Sequence, residues 1–202
     1  GIAVFDGQKI HMEKAVGRLR VLDEKIDHGA LLPGFCGIGH TRWATHGEPS
    51  QTNAHPHVSG NCTRSGSGAV ESEVVGVHNG IIENYAVLKE KLQAKGYTFK
   101  SSTDTEVLVQ LIEYMKVTNH LDLLTAVQLA LREVIGAYAI AVLEKDRPDE
   151  IIAARKSSPL VVGIGEDEFF LASDATPIVE YTDKVVYLED EEIAVIHRGK
   201  EL

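Results

Sequence analysis

The spacing of apolar residues changes near Gly136, and this change constrains the fold more than any other feature of the sequence. Upstream of it, apolar residues recur at helical spacing, whereas downstream they form short runs that turn residues separate. Short apolar runs bounded by turn residues are typical of strands joined by hairpins. Helices gathered in the middle of such a chain favour an α+β layered domain over a doubly wound sheet. The predicted strands after Gly136 are 137–144, 151–155, 160–164, 169–172, 185–188 and 193–197.

Start and stop signals place helices in the middle of the chain. Residues 84–95 carry one apolar face, and Gly96 follows them in the position of a C-cap. Thr103 and Glu106 have the spacing of a capping box, which predicts that a helix begins there. The other predicted elements are strands at 1–5 and around 10–12, and helices at 19–29 and 123–134.

Composition narrows the class of protein. The 202 residues are 44% hydrophobic and 25% charged, which is ordinary for one globular domain spanning 1–202. No run of 18 apolar residues occurs, so no membrane span is expected. The formal net charge is −10 without a basic stripe, which argues against nucleic-acid binding. Two cysteines do not suggest a disulfide scaffold, so a reducing, cytoplasmic setting is expected.

Three polar segments interrupt the apolar pattern. Residues 40–57 (HTRWATHGEPSQTNAHPH) hold four histidines and an arginine, and they follow a short buried strand expected at 36–39. Residues 75–84 (VGVHNGIIEN) predict a strand, a sharp Asn79-Gly80 turn and a helix start. Residues 101–107 (SSTDTEV) predict the end of a strand and the start of a helix. Polar loops at the edges of sheets are where binding and catalytic residues concentrate.

These segments resemble, in the same order, the glutaminase domain of the glucosamine-6-phosphate synthase family. The matching motifs are HTRWATHGEPS, NAHPH, HNGIIEN, TDTEV, SPLVVGIG and ASDATPI. HNG and TDTE also fit other class II glutamine amidotransferases, whereas HTRWATHGE with NAHPH is similar to the hexosamine-forming branch. The resemblance implies the N-terminal-nucleophile hydrolase fold, a four-layer αββα sandwich. It also implies hydrolysis of L-glutamine to glutamate and ammonia, with no cofactor and no metal.

The resemblance assigns glutamine-binding roles to five residues. It implies that Arg42 grips the α-carboxylate and that Asp104 pairs with the α-ammonium group, and a planar guanidinium suits bidentate binding of a carboxylate. The alternatives are a surface salt bridge for Arg42 and a favourable helix N-terminal charge for Asp104. By resemblance, Trp43, Thr45 and His46 belong to a loop that closes over the substrate. Trp43 alternatively anchors that loop in an apolar crevice.

Asn79 and Gly80 resemble an oxyanion hole, formed by the Asn79 side-chain amide and the Gly80 backbone N–H. Preorganised donors of this kind stabilise the negative charge that develops on the oxygen of an attacked carboxamide. Asn-Gly is also the commonest hairpin turn signal. A hairpin requires a second strand after Gly80, however, and the sequence instead indicates a helix start there.

The nucleophile of the family is an N-terminal cysteine whose own α-amine is suited to act as the base. That cysteine and some three dozen residues have no counterpart here, because the chain starts at the GIAVF strand. We therefore expect the chain alone to be inactive. Cys36 is expected to be an inert core thiol. Cys62 lies in a Gly/Ser-rich insertion, 58–73, that we expect to be a mobile surface loop or, alternatively, a lid.

Three other functions stay open. A non-catalytic glutamine-sensing module would keep Arg42 and Asp104 without a nucleophile, and another class II amidotransferase would share HNG and TDTE. A metal-binding protein is the third, although cysteine pairs of the kind found in zinc sites are absent. Its ligands would come from His40, His46, His55, His57 and His78. In the favoured interpretation, sugar-isomerase domains of the same polypeptide use the ammonia on fructose 6-phosphate, in a homodimer.

Overall fold

The computed structural model describes residues 1–42, 46–60, 74–197, 199–200 and 202. Trp43, Thr45, Cys62 and most of the 58–73 insertion lie outside the described residues. Strands β1 to β11 span, in chain order, Ile2–Phe5, Ile10–Glu13, Cys36–Gly39, His57–Val58, Val74–Ile82, Gly136–Glu144, Glu150–Lys156, Val161–Ile164, Phe169–Ala172, Val185–Tyr187 and Ile193–His197. Helices α1 to α4 span Leu19–Lys25, Tyr85–Gln93, Asp104–Asn119 and Leu123–Glu133, and a short 3₁₀ helix occupies Asp27–Gly29.

Three antiparallel sheets organise these strands. The central sheet has five strands in the order β11-β7-β6-β5-β4, and the two smaller sheets have the orders β2-β1-β3 and β10-β8-β9. After Gly136, the consecutive strands β6 and β7, and β8 and β9, pair in the antiparallel sense, as the turn residues between them predict. The later strands β10 and β11 pair antiparallel with β8 and β7, which are not their neighbours in sequence. The α+β class is therefore confirmed.

The alternation of side chains along β5 explains the layers. Val74 and Ile82 point to one face of the central sheet and join the core made with α2, α3 and α4. Val75 and Val77 point to the opposite face, because successive side chains in a strand alternate, and they pack against β1 and β3. The sheet of β8, β9 and β10 covers the same face of the central sheet over β6, β7 and β11. The order is thus a helical layer, the central sheet and a layer of two small sheets, with α1 beside the small sheets.

Helix termini follow the predicted signals closely. Thr103 is the N-cap of α3, and its hydroxyl accepts a hydrogen bond from the Glu106 N–H at 3.2 Å. The reciprocal half of the capping box is absent, because the Glu106 carboxylate accepts from the Lys100 and Ser101 N–H groups instead. Gly96 adopts the left-handed conformation expected after α2, with a φ of 90°.

Two local predictions are wrong. No turn occurs at Asn79-Gly80, because β5 continues to Ile82 and pairs Asn79 with Ala139 and Gly80 with Tyr138 on β6. Residues 101–103 precede α3 without forming the end of a strand. At Asn79-Gly80, pairing with β6 outweighs the local turn signal. At 101–103, side chains of Asn53 and Glu106 bind the backbone N–H groups in place of a neighbouring strand. Among the described helices, none is long and apolar enough to cross a membrane.

Candidate active site

Four of the residues singled out by the sequence converge at one end of the central sheet. Asn79 and Gly80 lie on β5, and Asp104 is the first residue of α3. The Asp104 Oδ2 accepts a hydrogen bond from the Ile82 N–H at 2.8 Å, which fixes the start of α3 against β5. His46 comes from the loop after β3, and its Nδ1 lies 3.9 Å from the same Oδ2. The His46 ring also packs against Tyr85, with ring centroids 4.7 Å apart.

Asp104 is a buried carboxylate, with only 3% of its surface exposed. Its Oδ1 accepts from the Thr105 N–H at 3.0 Å, and its Oδ2 accepts from Ile82. Position at the positive end of a helix stabilises its negative charge, which agrees with the structural alternative for this residue. A carboxylate has about four lone-pair directions, however, so two backbone donors leave it able to accept from a cation as well.

The Arg42 guanidinium is held by its own loop. It donates to the carbonyl oxygens of Gly47 at 2.7 Å and Glu48 at 3.3 Å, and to that of His46. None of these acceptors is a carboxylate, so the contacts differ from the surface salt bridge considered above. Partial burial lowers the pKa of Arg42, and the Asp104 carboxylate opposes that lowering. The charges of Arg42 and Asp104 therefore act on one region.

Gly80 makes a close approach that only glycine permits. Its φ is 135°, and a Cβ at this position would overlap the carbonyl oxygen of Ala137 on the neighbouring strand. Asn79 lies on the face of β5 that also carries Val77, away from α2 to α4. No described residue makes a hydrogen bond with the Asn79 carboxamide. Both donors proposed for an oxyanion are thus present on the same stretch of β5.

A groove of about 600 Å³ lies between the two small sheets and includes Asn79 and Arg42 in its walls. One side is formed by β3, residues 37–39, and the other by β9, residues 169–172. Each of these strands is paired on one side only among the described residues, so each presents unpaired backbone groups. The floor is apolar and comes from the central sheet: Val77, Ala139, Ala141 and Ile151.

Three histidines cluster next to this groove, of which His55 and His57 are buried and His40 is half-buried. The rings of His40 and His55 stack with centroids 4.6 Å apart, and those of His55 and His57 meet edge to face at 5.2 Å. Burial lowers the pKa of His40 to about 4 and that of His57 well below its usual value. Threonine hydroxyls lie 3.0 Å from the Nε2 atoms of His55 and His57. No group of three potential metal ligands is present within the described part of the chain.

Cys36, the remaining described cysteine, is poorly suited to be a nucleophile. Its side chain is half-buried on β3, and burial raises the pKa of its thiol to about 11. The thiolate is the reactive form, and it is scarce near neutral pH when the pKa is this high. This agrees with the expectation of an inert thiol.

Comparison with known families agrees with the geometry. The glutamine amidotransferase domain family matches residues 67–180, more than half of the chain. The chain belongs to this family. The amidotransferase domain is also 69% identical over 203 residues to the glutamine–fructose-6-phosphate aminotransferase [isomerizing] of Bacteroides thetaiotaomicron, covering 100% of this chain and 31% of that protein. The corresponding enzyme of Chlorobaculum tepidum is 49% identical, with 98% of this chain and 31% of the relative covered.

A solved structure supports the fold of the amidotransferase domain. The glutamine phosphoribosylpyrophosphate amidotransferase from B. subtilis, complexed with ADP and GMP, superposes with a TM-score of 0.73 at 26% identity. The match covers 97% of this chain and 42% of that chain. This likeness is consistent with the N-terminal-nucleophile hydrolase fold expected from the motifs. The domain spans about a third of the length of the curated relatives it matches.

The structure also places beside the candidate site Thr105 and Tyr85, which sequence reasoning missed, and His78, which it considered only as a metal ligand. His78 and Thr105 lie beside Asp104 and Gly80, and Tyr85 packs on His46. Thr105 carries a signal in the TDT triplet, since two hydroxyl residues flank the carboxylate. The ring contact of Tyr85 has no such signal, because an aromatic residue in the first turn of a helix is more commonly part of the core.

Proposed function

We propose that this domain hydrolyses the side-chain amide of L-glutamine, and that the ammonia is used by the rest of the protein to convert fructose 6-phosphate into glucosamine 6-phosphate. The first part rests on the placement of Asn79, Gly80 and Asp104 at one end of the sheet, with no described residue bonded to the Asn79 carboxamide. The second part rests on the name of the B. thetaiotaomicron relative and its greater length. A sugar-isomerase domain of the same polypeptide, a cytoplasmic homodimer and the absence of a cofactor belong to the same proposal.

The two charged groups of glutamine would meet opposite charges in this site. Asp104 accepts the α-ammonium group, since its buried carboxylate retains acceptor capacity beyond its two backbone donors. Arg42 turns from the carbonyl oxygens of its loop to the α-carboxylate, which accepts charge-assisted hydrogen bonds that are stronger than those to neutral carbonyls. His46 and, by resemblance, Trp43 and Thr45 close the loop over the substrate. The amide end of glutamine then points toward Asn79.

Charge stabilisation at the amide carbonyl is the central chemical step. A thiolate attacks the carboxamide carbon, the C–O double bond opens, and the oxygen becomes an anion. The Asn79 side-chain N–H and the Gly80 backbone N–H donate to that oxygen. The α-ammonium group of the N-terminal cysteine, which took the thiol proton, returns it to the amide nitrogen, so ammonia leaves when the tetrahedral intermediate collapses to the thioester. Water then hydrolyses the thioester to glutamate and restores the thiol. Removing one donor from such a site costs about 10²–10³ in rate.

The groove suggests where the nucleophile belongs. An extended segment between β3 and β9 would satisfy the unpaired edges of both strands and join the two small sheets. We propose that the strand carrying the N-terminal cysteine of the family occupies this groove, with the cysteine itself near Asn79. Its α-amine, with an ordinary pKa of about 7.7–8.0, is suited to take the thiol proton near neutral pH.

Glutamate and ammonia release by the full-length protein tests the proposal. We expect turnover that is lost on replacing the N-terminal cysteine by alanine and that is unchanged by Cys36→Ser. Glutamine binding in a titration calorimeter without any turnover would favour the glutamine-sensing module instead. Glutaminase activity without glucosamine 6-phosphate formation would indicate a different acceptor and a different class II enzyme.

A further inference from the structure

A line of buried polar side chains runs behind the proposed site and has no part in the mechanism described above. It consists of His55, Thr105 and His78, none of which exposes more than 4% of its surface. The Thr105 Oγ1 lies 3.0 Å from the His55 Nε2 and 3.1 Å from the His78 Nδ1. One hydroxyl group therefore contacts two imidazole rings that are distant in sequence.

This arrangement links the tautomers of the two histidines. Burial lowers the pKa of both His55 and His78, so both rings are neutral near pH 7. A neutral imidazole has one donor and one acceptor nitrogen, and a hydroxyl has one proton to donate. If Thr105 donates to His78, His55 must donate to Thr105. In the opposite case His78 donates to Thr105, which donates to His55.

The Nε2 side of the His78 ring faces the backbone around Gly80. Its Nε2 lies 3.1 Å from the position that a Cβ of Gly80 would take, next to the Ala137 carbonyl oxygen. This Nε2 is buried and makes no hydrogen bond with the described residues. When Thr105 donates to the Nδ1, the Nε2 carries the proton and is able to donate it to the Ala137 carbonyl oxygen once the ring moves into hydrogen-bond range. When the Nδ1 carries the proton, a lone pair faces the carbonyl oxygen instead. Whether the Thr105 hydroxyl donates to His78 or accepts from it thus decides whether the Gly80–Ala137 contact is stabilised.

The Nδ1 side of the His78 ring faces Asp104. The Nδ1 lies 3.9 Å from the Asp104 Oδ2, so an uncompensated carboxylate charge favours a proton on that nitrogen. A substrate ammonium group that neutralises Asp104 would remove this preference. The proton would then favour the Nε2, where it can be donated to the backbone beside Gly80.

We propose that His78, with its tautomer set through Thr105 and His55, is a positioning residue that couples occupation of the ammonium site to the geometry of the Gly80 oxyanion donor. The inference rests on the proposed glutaminase function. It makes recognition of the α-amine contribute to turnover rather than to binding alone.

Thr105→Val and Thr105→Ser in the full-length protein form the matched test, because valine keeps the shape and removes the hydroxyl, whereas serine keeps the hydroxyl. We expect Thr105→Val to lower kcat for glutamine about ten-fold, the effect of one net hydrogen bond, with a much smaller change in KM. Thr105→Ser should retain most of the wild-type kcat. His78→Phe, which removes both imidazole nitrogens, should reproduce the valine effect if Thr105→Val does not fold. His55→Phe should keep most of the wild-type kcat, because it leaves the Thr105 hydroxyl free to donate to His78.

Glutaramate, which is glutamine without its α-amine, adds a readout that a purely structural role would not move. Its slower turnover should fall much less on Thr105→Val than glutamine turnover does, because no ammonium group neutralises Asp104. Equal loss on both substrates, equal loss in the valine and serine variants, or wild-type kcat in Thr105→Val and His78→Phe would each overturn the inference. In these cases the wild-type protein still hydrolyses glutamine, whereas its failure to do so would overturn the proposed function as well.

Discussion

The two faces of the central sheet are built by the same strands but differ in burial: one is an apolar core and the other lines a groove. Toward α2, α3 and α4 the face is a dry core in which Val74, Ile82 and Ile152 are fully buried. Toward the small sheets the face is partly open, and Asn79 and Ile151 line a groove. Because side chains alternate along a strand, neighbours such as Ile151 and Ile152 serve opposite faces. The comparison shows that one residue of register separates the apolar core from the groove, whereas Asp104 and His78 form a polar patch on the helical face at the end of the sheet.

The largest expected effect is on the helical face. Ile152→Ala removes a fully buried side chain and leaves a cavity under α3 and α4, so the free energy of unfolding should fall by about 2–5 kcal/mol. Ile151→Ala is the matched control on the groove face and should cost clearly less, because this side chain is only partly buried. Chemical denaturation of both variants measures the difference. Equal losses would mean that the two faces are packed alike.

On the groove face the effect should appear in catalysis. Asn79→Ala should lower kcat for glutamine by at least about 10², with little change in KM, because the amide acts on the charged intermediate. Steady-state kinetics of the full-length protein, with denaturation as a check on folding, would show this. A fall in binding that matches the fall in kcat would indicate a structural part for Asn79 in β5.

A smaller change should separate binding from chemistry at the same site. Arg42→Lys should raise the glutamine KM about ten-fold or more while kcat falls less, because an ammonium group cannot reproduce the bidentate contact with a carboxylate. Kinetics over a wide range of glutamine concentration provides the measurement. Unaltered constants would remove Arg42 from the substrate site.

The smallest effect is expected on the outer side of the helical layer. The Asp122 carboxylate accepts from the Thr125 N–H at 2.7 Å as the N-cap of α4, and this contact lowers its pKa. Asp122→Ala should cost roughly 1 kcal/mol at neutral pH and leave kcat unchanged. Because the folded pKa lies below the unfolded value of about 3.9, the difference from wild type should shrink as the pH falls through that range. Thermal unfolding of both proteins between pH 7 and pH 3 tests the sign.

Much of the fold was predictable because its signals are local. The strand runs after Gly136, the Thr103 cap of α3 and the glycine after α2 depend on periodicity and capping, which a few neighbouring residues specify. The site was predictable in part, since the family motifs indicated Arg42, His46, Asn79, Gly80 and Asp104. The structure brings the last four to one end of the sheet and places Arg42 in the wall of the groove. Their roles remain predictions.

What the sequence by itself determined is the position of most helices and strands, because these follow from spacing and capping signals along the chain. Only the tertiary structure decided that Asn79-Gly80 continues a strand, since pairing with Ala139 and Tyr138 outweighs the local preference for a turn. It also decided that Asp104 is tied to Ile82, and that Thr105 bridges His55 and His78. These contacts join residues 22 to 50 positions apart, and no local pattern encodes which distant partner a buried polar group will find.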